Sequence, residues 1–474
     1  MSFYQQLLDK YQLSPNEKEE AEYVEEYLVK LAMVLKFWGQ ESESISHFLN
    51  LRINNSYDSV RNLPDLDKQD TYRPDLQSPA QVLAKYLSQL NLTNFQLSKV
   101  SIQGFKSFSP VKPTTIELCK LNILIGANGA GKSSFFSLIE FIQKFSSHTM
   151  KSTLARLGNV NDFLYYGSKQ TEAFSSQLTF SDGQTEINYA FTCKPDEINK
   201  SFFFEYENCA VKELPDKIIT SREYTEERPD SILSTLLDHP AIQQLKWLLE
   251  AIQIFHIHDT SMQSELRNPV DIEDNKQVAS DGQNIAAILY FLKNTPSNQK
   301  CYKDIVYFIQ QVFPHFDDFI LEPEHTKGKI LLQWIEKGSD HVLKPHQASD
   351  GTLRFIVLAT LLLFPPSIPP RLIILDEPEL GLHPKALSAL RSLFNLSRQY
   401  SQIIVATQSS EFLDYFTADD VIVVDRSQFA PDENEPQSLP STFMKRKNAE
   451  ELSEWLNDYT LSELWNKNVL GGRP

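Results

Sequence analysis

The sequence is poor in cysteine, in long apolar runs and in positive charge. Its four cysteines lie far apart among 474 residues and form no CxxC pair, which predicts free thiols in a reducing compartment. The longest apolar stretch, residues 355–364, is too short to span a bilayer. The first residues have neither the basic region nor the apolar core of a secretory signal. We therefore expect a soluble, cytoplasmic protein with no membrane partner.

The chain is also strongly acidic. It has 45 Lys and Arg residues against 62 Asp and Glu residues, for a net charge of −17. A surface with this balance does not attract nucleic acid on average, so any DNA contact needs a local basic patch. The longest basic run is Lys445-Arg446-Lys447. The length predicts two to three domains, and a hydrophobic fraction of 41% is enough for a sizeable core.

The most informative motif is Gly-Ala-Asn-Gly-Ala-Gly-Lys-Ser at residues 126–133. It follows the apolar run 121–125 and precedes a predicted helix over 135–145, the setting of a phosphate-binding loop. Backbone N–H groups and the helix N-terminus favour a polyphosphate there, with Lys132 reaching the β- and γ-phosphates. The predicted ligands are ATP and Mg²⁺, the latter on the Ser133 hydroxyl. The residues expected to contact the nucleotide are Gly126, Asn128, Gly129, Ala130, Gly131, Lys132, Ser133 and Ser134.

A second motif is an apolar strand, residues 372–375, that ends in Asp376 and Glu377. A phosphate loop requires such a partner: Asp376 is expected to hold Mg²⁺ from the Ser133 side, and Glu377 to polarise the attacking water. The alternative is a strand that merely runs into an acidic turn. The upstream phosphate loop favours the catalytic interpretation.

Three further segments carry a family resemblance. Residues 102–108, Ile-Gln-Gly-Phe-Lys-Ser-Phe, are similar to the opening strand of SMC-type heads, and residues 347–355 have the place of the signature helix in ATP-binding-cassette heads. Residues 376–384, Asp-Glu-Pro-Glu-Leu-Gly-Leu-His-Pro, and the segment 406–410 resemble the acidic strand and the switch of the RecF/OLD branch. Together they resemble the SMC/RecF-like ATPase family, over residues 96–474. The ending, residues 455–474, looks like a bacterial subgroup of stand-alone ATPases.

The resemblance implies an α/β fold: an ABC/SMC-like P-loop ATPase head with a helical insert and a helical N-terminal extension. It also implies that two heads pair head-to-tail with ATP between them. Ser349 and Gly351 of one subunit are then expected to contact the γ-phosphate held by Lys132 of the other. Gln408 stands where many cassette ATPases have histidine and would sense the γ-phosphate. The predicted catalytic residues are Glu377, Lys132 and Gln408. A lid glutamine is expected within residues 161–170, with no single residue favoured.

The domain prediction has four parts. Residues 1–92 form a helical extension, whose role is open between a solvated acidic face and the docking of a partner. Residues 93–215 form a first lobe with the phosphate loop and a hairpin at Asp182-Gly183, and residues 216–340 a mostly helical insert, with helices over 231–255 and 282–313. Residues 341–474 form a second lobe with the signature, the acidic strand, the switch and a parallel sheet.

His256 and His258 raise the alternative of a metal site, because alternate residues of a strand point to the same face. The sequence shows no second cluster of histidine and carboxylate to complete such a site. A structural role is therefore the preferred interpretation.

The motifs leave the biological role open. The first hypothesis is a DNA-associated sensor or motor ATPase in antiphage defence, a homodimer or higher oligomer working with a separate effector such as a nuclease or toxin. The alternatives are a DNA-repair or genome-maintenance ATPase, and an oligomeric scaffold gated by nucleotide with incidental turnover. A fused nuclease is disfavoured because no acidic nuclease motif follows residue 424.

Overall fold

The computed structural model describes residues 95–472 apart from residues 197, 215–216, 236–239, 258, 262, 276, 325–327, 365–371 and 428–438. The predicted N-terminal helical extension, residues 1–92, lies outside the described residues. The helical segments are α1 Lys132–Ser147, α2 Met150–Leu157, α3 Val160–Phe163, α4 Ile232–Thr235, α5 Pro240–Glu250, α6 Ile285–Asn294, α7 Gln299–Val312, α8 Asp350–Leu363, α9 Pro384–Ser397, α10 Ser410–Leu413, α11 Ser453–Leu456 and α12 Leu461–Asn466.

A central six-stranded sheet carries the predicted motifs. Its strands, in spatial order, are β16 Ser441–Arg446, β15 Val421–Ser427, β3 Leu121–Ile125, β14 Gln402–Thr407, β13 Leu372–Asp376 and β8 Ile252–Phe255. All neighbours run parallel except β16, which pairs antiparallel with β15. Every residue of β3 and β14 is buried, as expected of parallel strands covered on both faces. The predicted parallel sheet is confirmed.

A second six-stranded sheet is antiparallel. In spatial order its strands are β2 Thr114–Glu117, β1 Gln96–Gln103, β4 Phe174–Ser181, β5 Thr185–Asp196, β6 Ser201–Glu213 and β7 Lys217–Tyr224. The turn between β4 and β5 contains Gly183 at φ +89°, and the predicted hairpin is confirmed. Two small antiparallel pairs complete the described strands: β9 Val270–Asp271 with β11 Lys329–Ile330, and β10 Phe316–Ile320 with β12 Gln333–Glu336.

The two large sheets are joined by Gln402, at the start of β14. Its Oε1 accepts a hydrogen bond from the Leu97 N–H (2.9 Å), and its Nε2 donates to the carbonyl oxygens of Leu97 (2.8 Å) and Cys119 (2.9 Å). The side chain is buried. A fully satisfied amide therefore fixes the first strand of one sheet to a central strand of the other.

One secondary-structure prediction is wrong in part. The helix predicted over residues 231–255 ends at Glu250, and Ile252–Phe255 form strand β8 beside β13. A short apolar run is compatible with a buried helix end or a buried strand, and the pairing with β13 decides between them. Within the segment predicted as a mostly helical insert, residues 216–340, the chain thus adds a strand to the central sheet. The domain boundaries themselves stay a prediction.

Two composition-based expectations concern the described residues. Cys119, Cys193, Cys209 and Cys301 are all free thiols. Among residues 95–472, outside the gaps named above, no helix is long and apolar enough to cross a membrane.

Candidate functional site

The phosphate loop lies where the buried strand β3 ends and helix α1 begins, at Lys132. Gly129 (φ +77°) and Gly131 (φ +116°) have the left-handed backbone that favours glycine. A Cβ at Gly126 would lie 2.3 Å from the carbonyl oxygen of Val424, on β15. The glycines therefore give the loop both its curvature and its close approach to the neighbouring strand.

Lys132 is folded over its own loop. Its Nζ donates hydrogen bonds to the carbonyl oxygens of Gly126 (2.6 Å) and Ala127 (3.1 Å). Burial lowers the pKa of Lys132, and the charges of Glu377, Asp376 and Glu379 oppose that shift. The lysine is thus within electrostatic reach of the acidic segment, as the predicted site requires.

Strand β16 supports the back of the phosphate loop. Thr442 Oγ1 lies 2.8 Å from the Ala130 carbonyl oxygen and 2.8 Å from Ser107 Oγ, and a Cβ added to Gly131 would come within 2.2 Å of it. Sequence reasoning missed Thr442 and Ser107. They are separated by 335 residues; Ser107 lies in the segment 102–108, whose pattern does not indicate this contact, and Thr442 belongs to no motif.

The acidic segment begins at the carboxyl end of β13. Asp376 is the last residue of the strand, and Glu377 follows with φ +43°. This left-handed conformation is uncommon for a residue other than glycine and is typical of functional sites. The N–H of Glu377 donates to the Ala406 carbonyl oxygen of β14 (2.8 Å), which fixes the turn.

Gln408 follows directly after β14, and its Nε2 donates a hydrogen bond to Oε1 of Glu377. Strand β14 lies between β3 and β13, and all three run parallel. The phosphate loop, Gln408, Asp376 and Glu377 therefore share the carboxyl-terminal edge of three adjacent strands, the usual place for a ligand site in an open α/β sheet.

The predicted signature segment opens helix α8. Ser349 is its N-cap, with Oγ accepting from the Thr352 N–H (3.1 Å), and Asp350 forms an ion pair with Arg267 (2.7 Å). A Cβ on Gly351 would lie 2.3 Å from the Gly381 carbonyl oxygen. The helix start thus touches the loop after the acidic strand. No hydrogen bond among the described residues joins Ser349 or Gly351 to the phosphate loop.

Arg354 fixes α8 to that loop. Its Nε donates to the carbonyl oxygen of Ile257 (2.9 Å), and its Nη1 donates to that of Leu380. The side chain is buried, and burial lowers the pKa of its guanidinium. The sequence places Arg354 in the signature segment but assigns it no role, because nothing in an apolar helix shows which distant carbonyls a buried arginine reaches.

A second acid of the loop, Glu379, is also buried. Its Oε1 accepts a hydrogen bond from Thr407 Oγ1, at the end of β14. Burial raises the pKa of Glu379 to about 7; the neighbouring charge of Glu377 adds to this, and the hydrogen bond from Thr407 opposes it. The site therefore holds two acids with different surroundings: Glu377 is half-buried and Glu379 is buried.

The loop fits a magnesium nucleotide. Asn128, Gly129 and Ser133 are exposed, and a Cβ at Gly129 would meet nothing within 4 Å, which leaves room above the loop for a ligand. The Ser133 hydroxyl and the Asp376 carboxylate are the hard oxygen donors that Mg²⁺ prefers. The roles of these residues remain predictions.

The two histidines do not form a described metal site. His256 is exposed, and His258 lies outside the described residues. In the part of the chain that the structure describes, no three His, Cys, Asp or Glu side chains group as metal ligands. His383, after the acidic loop, instead caps helix α9, with Nδ1 accepting from the Lys385 N–H (3.4 Å).

Comparison with known proteins decides the family. Residues 121–414 match the family described as "AAA domain, putative AbiEii toxin, Type IV TA system". The chain belongs to this family. The matched segment runs from strand β3 through the phosphate loop to the switch after β14, so it includes the phosphate loop, the signature helix, the acidic segment and Gln408.

One curated relative is the energy-coupling factor transporter ATP-binding protein EcfA of Methanosphaera stadtmanae, 32% identical over 108 residues. The match covers 22% of this chain and 37% of the relative's length. With the family match, it confirms the predicted family of ABC/SMC-type ATPases and its α/β P-loop fold.

Solved structures of SMC heads are also similar in part. They include an SMC head bound to the C-winged helix domain of ScpA (TM-score 0.48, 15% identity, 75% of this chain and 99% of that one). A second is the Pyrococcus furiosus SMC head with an extended coiled coil, bound to the C-terminal domain of ScpA (0.46, 15%, 77% and 99%). A third is the SMC head of Thermotoga maritima (0.39, 14%, 74% and 99%).

Proposed function

We propose that this member of the AAA-domain family binds ATP with Mg²⁺ and hydrolyses it to ADP and phosphate. The observation that carries the proposal is the hydrogen bond from Gln408 to Glu377 beside the phosphate loop. A carboxylate held at the edge of the sheet, next to a residue that can contact the γ-phosphate, is the arrangement that in-line attack by water requires.

Each residue has a separate role in this proposal. The backbone of residues 126–133 and the N-terminus of α1 hold the phosphates, and Lys132 neutralises their charge. Glu377 accepts the proton of the attacking water, and Gln408 orients Glu377 and senses the γ-phosphate. Ser133 and Asp376 hold Mg²⁺, which when bound neutralises charge on the phosphate oxygens.

The same proposal includes a head-to-tail dimer. The support is that Ser349 caps helix α8 and that Gly351, in the first turn of this helix, lies against the loop after the acidic strand of its own chain. The N-terminus of α8 is a positive dipole end with a hydroxyl beside it, which suits the γ-phosphate held by a second subunit. Closure of the dimer on ATP would then bring a signature helix to each nucleotide.

The dimer is tested by light scattering on the Glu377→Gln protein, with and without ATP and Mg²⁺. The variant should double in mass with ATP, because it binds nucleotide but does not release it by turnover. Lys132→Ala, which should lose ATP, is the matched control and should keep its mass. A mass that ATP leaves unchanged in Glu377→Gln, while bound nucleotide is present, would contradict the head-to-tail dimer.

For the biological role we propose antiphage defence, through DNA sensing and a separate effector protein such as a nuclease or toxin. The support is the family's description, which names a toxin of a toxin–antitoxin system. Loss of the gene should raise phage plaquing, Lys132→Ala should fail to restore protection, and double-stranded DNA should add a heavier species in the light-scattering experiment. Unchanged phage sensitivity together with sensitivity to DNA damage would favour the genome-maintenance alternative.

A further inference from the structure

Glu379 has no role in the reaction described so far, yet it is buried beside residues that have one. Its side chain is 7% exposed. Oε1 accepts the hydrogen bond from Thr407, whereas Oε2 is buried and has no partner among the described residues. A buried carboxyl that satisfies only one of its oxygens lowers stability. Such a group in a native core calls for a reason.

The contacts of Thr407 supply a reason for the buried carboxyl of Glu379. Its Oγ1 donates to Glu379 and also accepts a hydrogen bond from the Ser409 N–H (2.9 Å). Thr407 and Ser409 are the residues on either side of Gln408. The Thr407 hydroxyl therefore joins the buried carboxyl of Glu379 to the turn that contains Gln408.

Two hydrogen bonds thus join the loop after β13 to the carboxyl-terminal end of β14 and the residue that follows it. The outer one is exposed and runs from Gln408 to Glu377. The inner one is buried and runs from Thr407 to Glu379. The hydrogen bond between Thr407 and Glu379 is buried and shielded from water. It can therefore keep its geometry when a ligand disturbs the exposed hydrogen bond between Gln408 and Glu377.

Burial and the charge of Glu377 favour the neutral form of Glu379. Burial raises its pKa to about 7, with Glu377 contributing in the same direction. The cations that face it, Lys132 from α1 and Arg354 from α8, act in the opposite direction. A neutral carboxyl still accepts the hydrogen bond from Thr407 without adding a second negative charge beside Glu377.

We propose that Glu379 is a positioning residue, which holds the turn containing Gln408 through Thr407 so that Gln408 contacts Glu377. This inference rests on the proposed ATPase function. It assigns Glu379 no contact with the nucleotide and no proton transfer. Its effect is on the rate of the chemical step, through the alignment of two side chains that the reaction uses.

The test compares kcat and KM for ATP–Mg²⁺ in four variants. Glu379→Ala and Thr407→Val each remove the buried hydrogen bond between these two residues. Each change should lower kcat by about tenfold, with KM changed by less than about twofold. Glu379→Gln and Thr407→Ser keep an acceptor and a hydroxyl in place, and should restore most of that kcat. The double variant Glu379→Ala/Thr407→Val should fall no further than either single change.

The matched control is Thr153→Val, because Thr153 is fully buried and its hydroxyl donates to the Thr149 carbonyl oxygen (3.0 Å) in α2. It should leave kcat unchanged. Wild-type kcat in Glu379→Ala, or a Glu379→Gln protein as slow as Glu379→Ala, would overturn the proposal. If Glu379→Ala does not fold, Thr407→Val against Thr407→Ser decides the question alone. A wild-type protein that binds ATP but releases no phosphate would instead overturn the proposed function.

Discussion

Gln408 donates a hydrogen bond from Nε2 to Oε1 of Glu377, across the edge of the central sheet. The two residues are 31 positions apart in the chain and follow neighbouring parallel strands. Glu377 makes this contact from an unusual left-handed backbone, φ +43°. It links the predicted water-polarising acid to the predicted switch residue.

Removal of the Gln408 side chain should slow hydrolysis without preventing nucleotide binding. Gln408→Ala is expected to lower kcat by about tenfold or more, because Glu377 loses the partner that orients it. Steady-state phosphate release checks this. Gln399→Ala, an exposed glutamine just beyond the end of α9, is the control and should match the wild type. An unchanged kcat in Gln408→Ala would show that Gln408 does not contribute to hydrolysis.

Gly131→Ala should destroy the phosphate loop. The change combines a left-handed backbone at φ +116° with a Cβ that would come within 2.2 Å of Thr442. We expect loss of ATP binding, measured with a fluorescent nucleotide. Gly183→Ala is the matched control, since its φ is +89° but its Cβ would meet nothing within 4 Å. That change should cost only about 1 kcal/mol of stability and leave binding intact. Equal effects of the two changes would contradict the packing of Thr442 against the loop.

The stability of the protein should depend on pH through Glu379. Burial raises the pKa of this acid to about 7, so between its unfolded pKa and 7 the folded protein keeps a proton that the unfolded chain releases. Stability from this group is therefore lost as the pH rises. Glu379→Gln, which cannot ionise, should gain up to about 3 kcal/mol over the wild type at pH 8 and little at pH 5.

Denaturant unfolding of both proteins at the two pH values measures this difference. Glu454→Gln, at an exposed position, is the control and should show no such dependence. A Glu379→Gln protein whose advantage is the same at pH 5 and pH 8 would show that Glu379 does not carry a raised pKa.

Arg354→Lys should destabilise the protein although it keeps the charge. The guanidinium reaches the carbonyl oxygens of Ile257 and Leu380 at once, and an ammonium group cannot present the same fork of donors. We expect a loss of about 1–3 kcal/mol, because at least one buried carbonyl is left unpaired. Thermal unfolding checks this against Arg391→Lys, an exposed arginine of α9. Equal melting temperatures for the two variants would be inconsistent with this anchoring role.

The sequence predicts the parts of the site that lie next to one another in the chain. The phosphate loop, the acidic strand and the parallel sheet were predictable because glycine spacing and apolar runs are local signals. The sequence does not show contacts that depend on distant residues meeting. Thr442 against the phosphate loop, and Gln402 between the two sheets, join segments more than 300 residues apart.

Strand β8 shows a different limit. The run Ile252–Phe255 directly continues an apolar helical pattern, and only its pairing with β13 makes it a strand. Glu379 shows a third limit of prediction from sequence. In the sequence it is one more acidic residue of the loop, and only its burial and its hydrogen bond from Thr407 distinguish it from Glu377. Local pattern carries no information on either point.

The most direct test of this account is the rate of phosphate release by the wild-type and Glu377→Gln proteins, with bound ATP quantified in the same samples. The account predicts that both bind ATP–Mg²⁺ equally and that Glu377→Gln releases phosphate at least about 100-fold more slowly. Wild-type turnover by Glu377→Gln would contradict the assignment of Glu377. ATP bound by the wild type without any turnover would favour the nucleotide-gated scaffold instead.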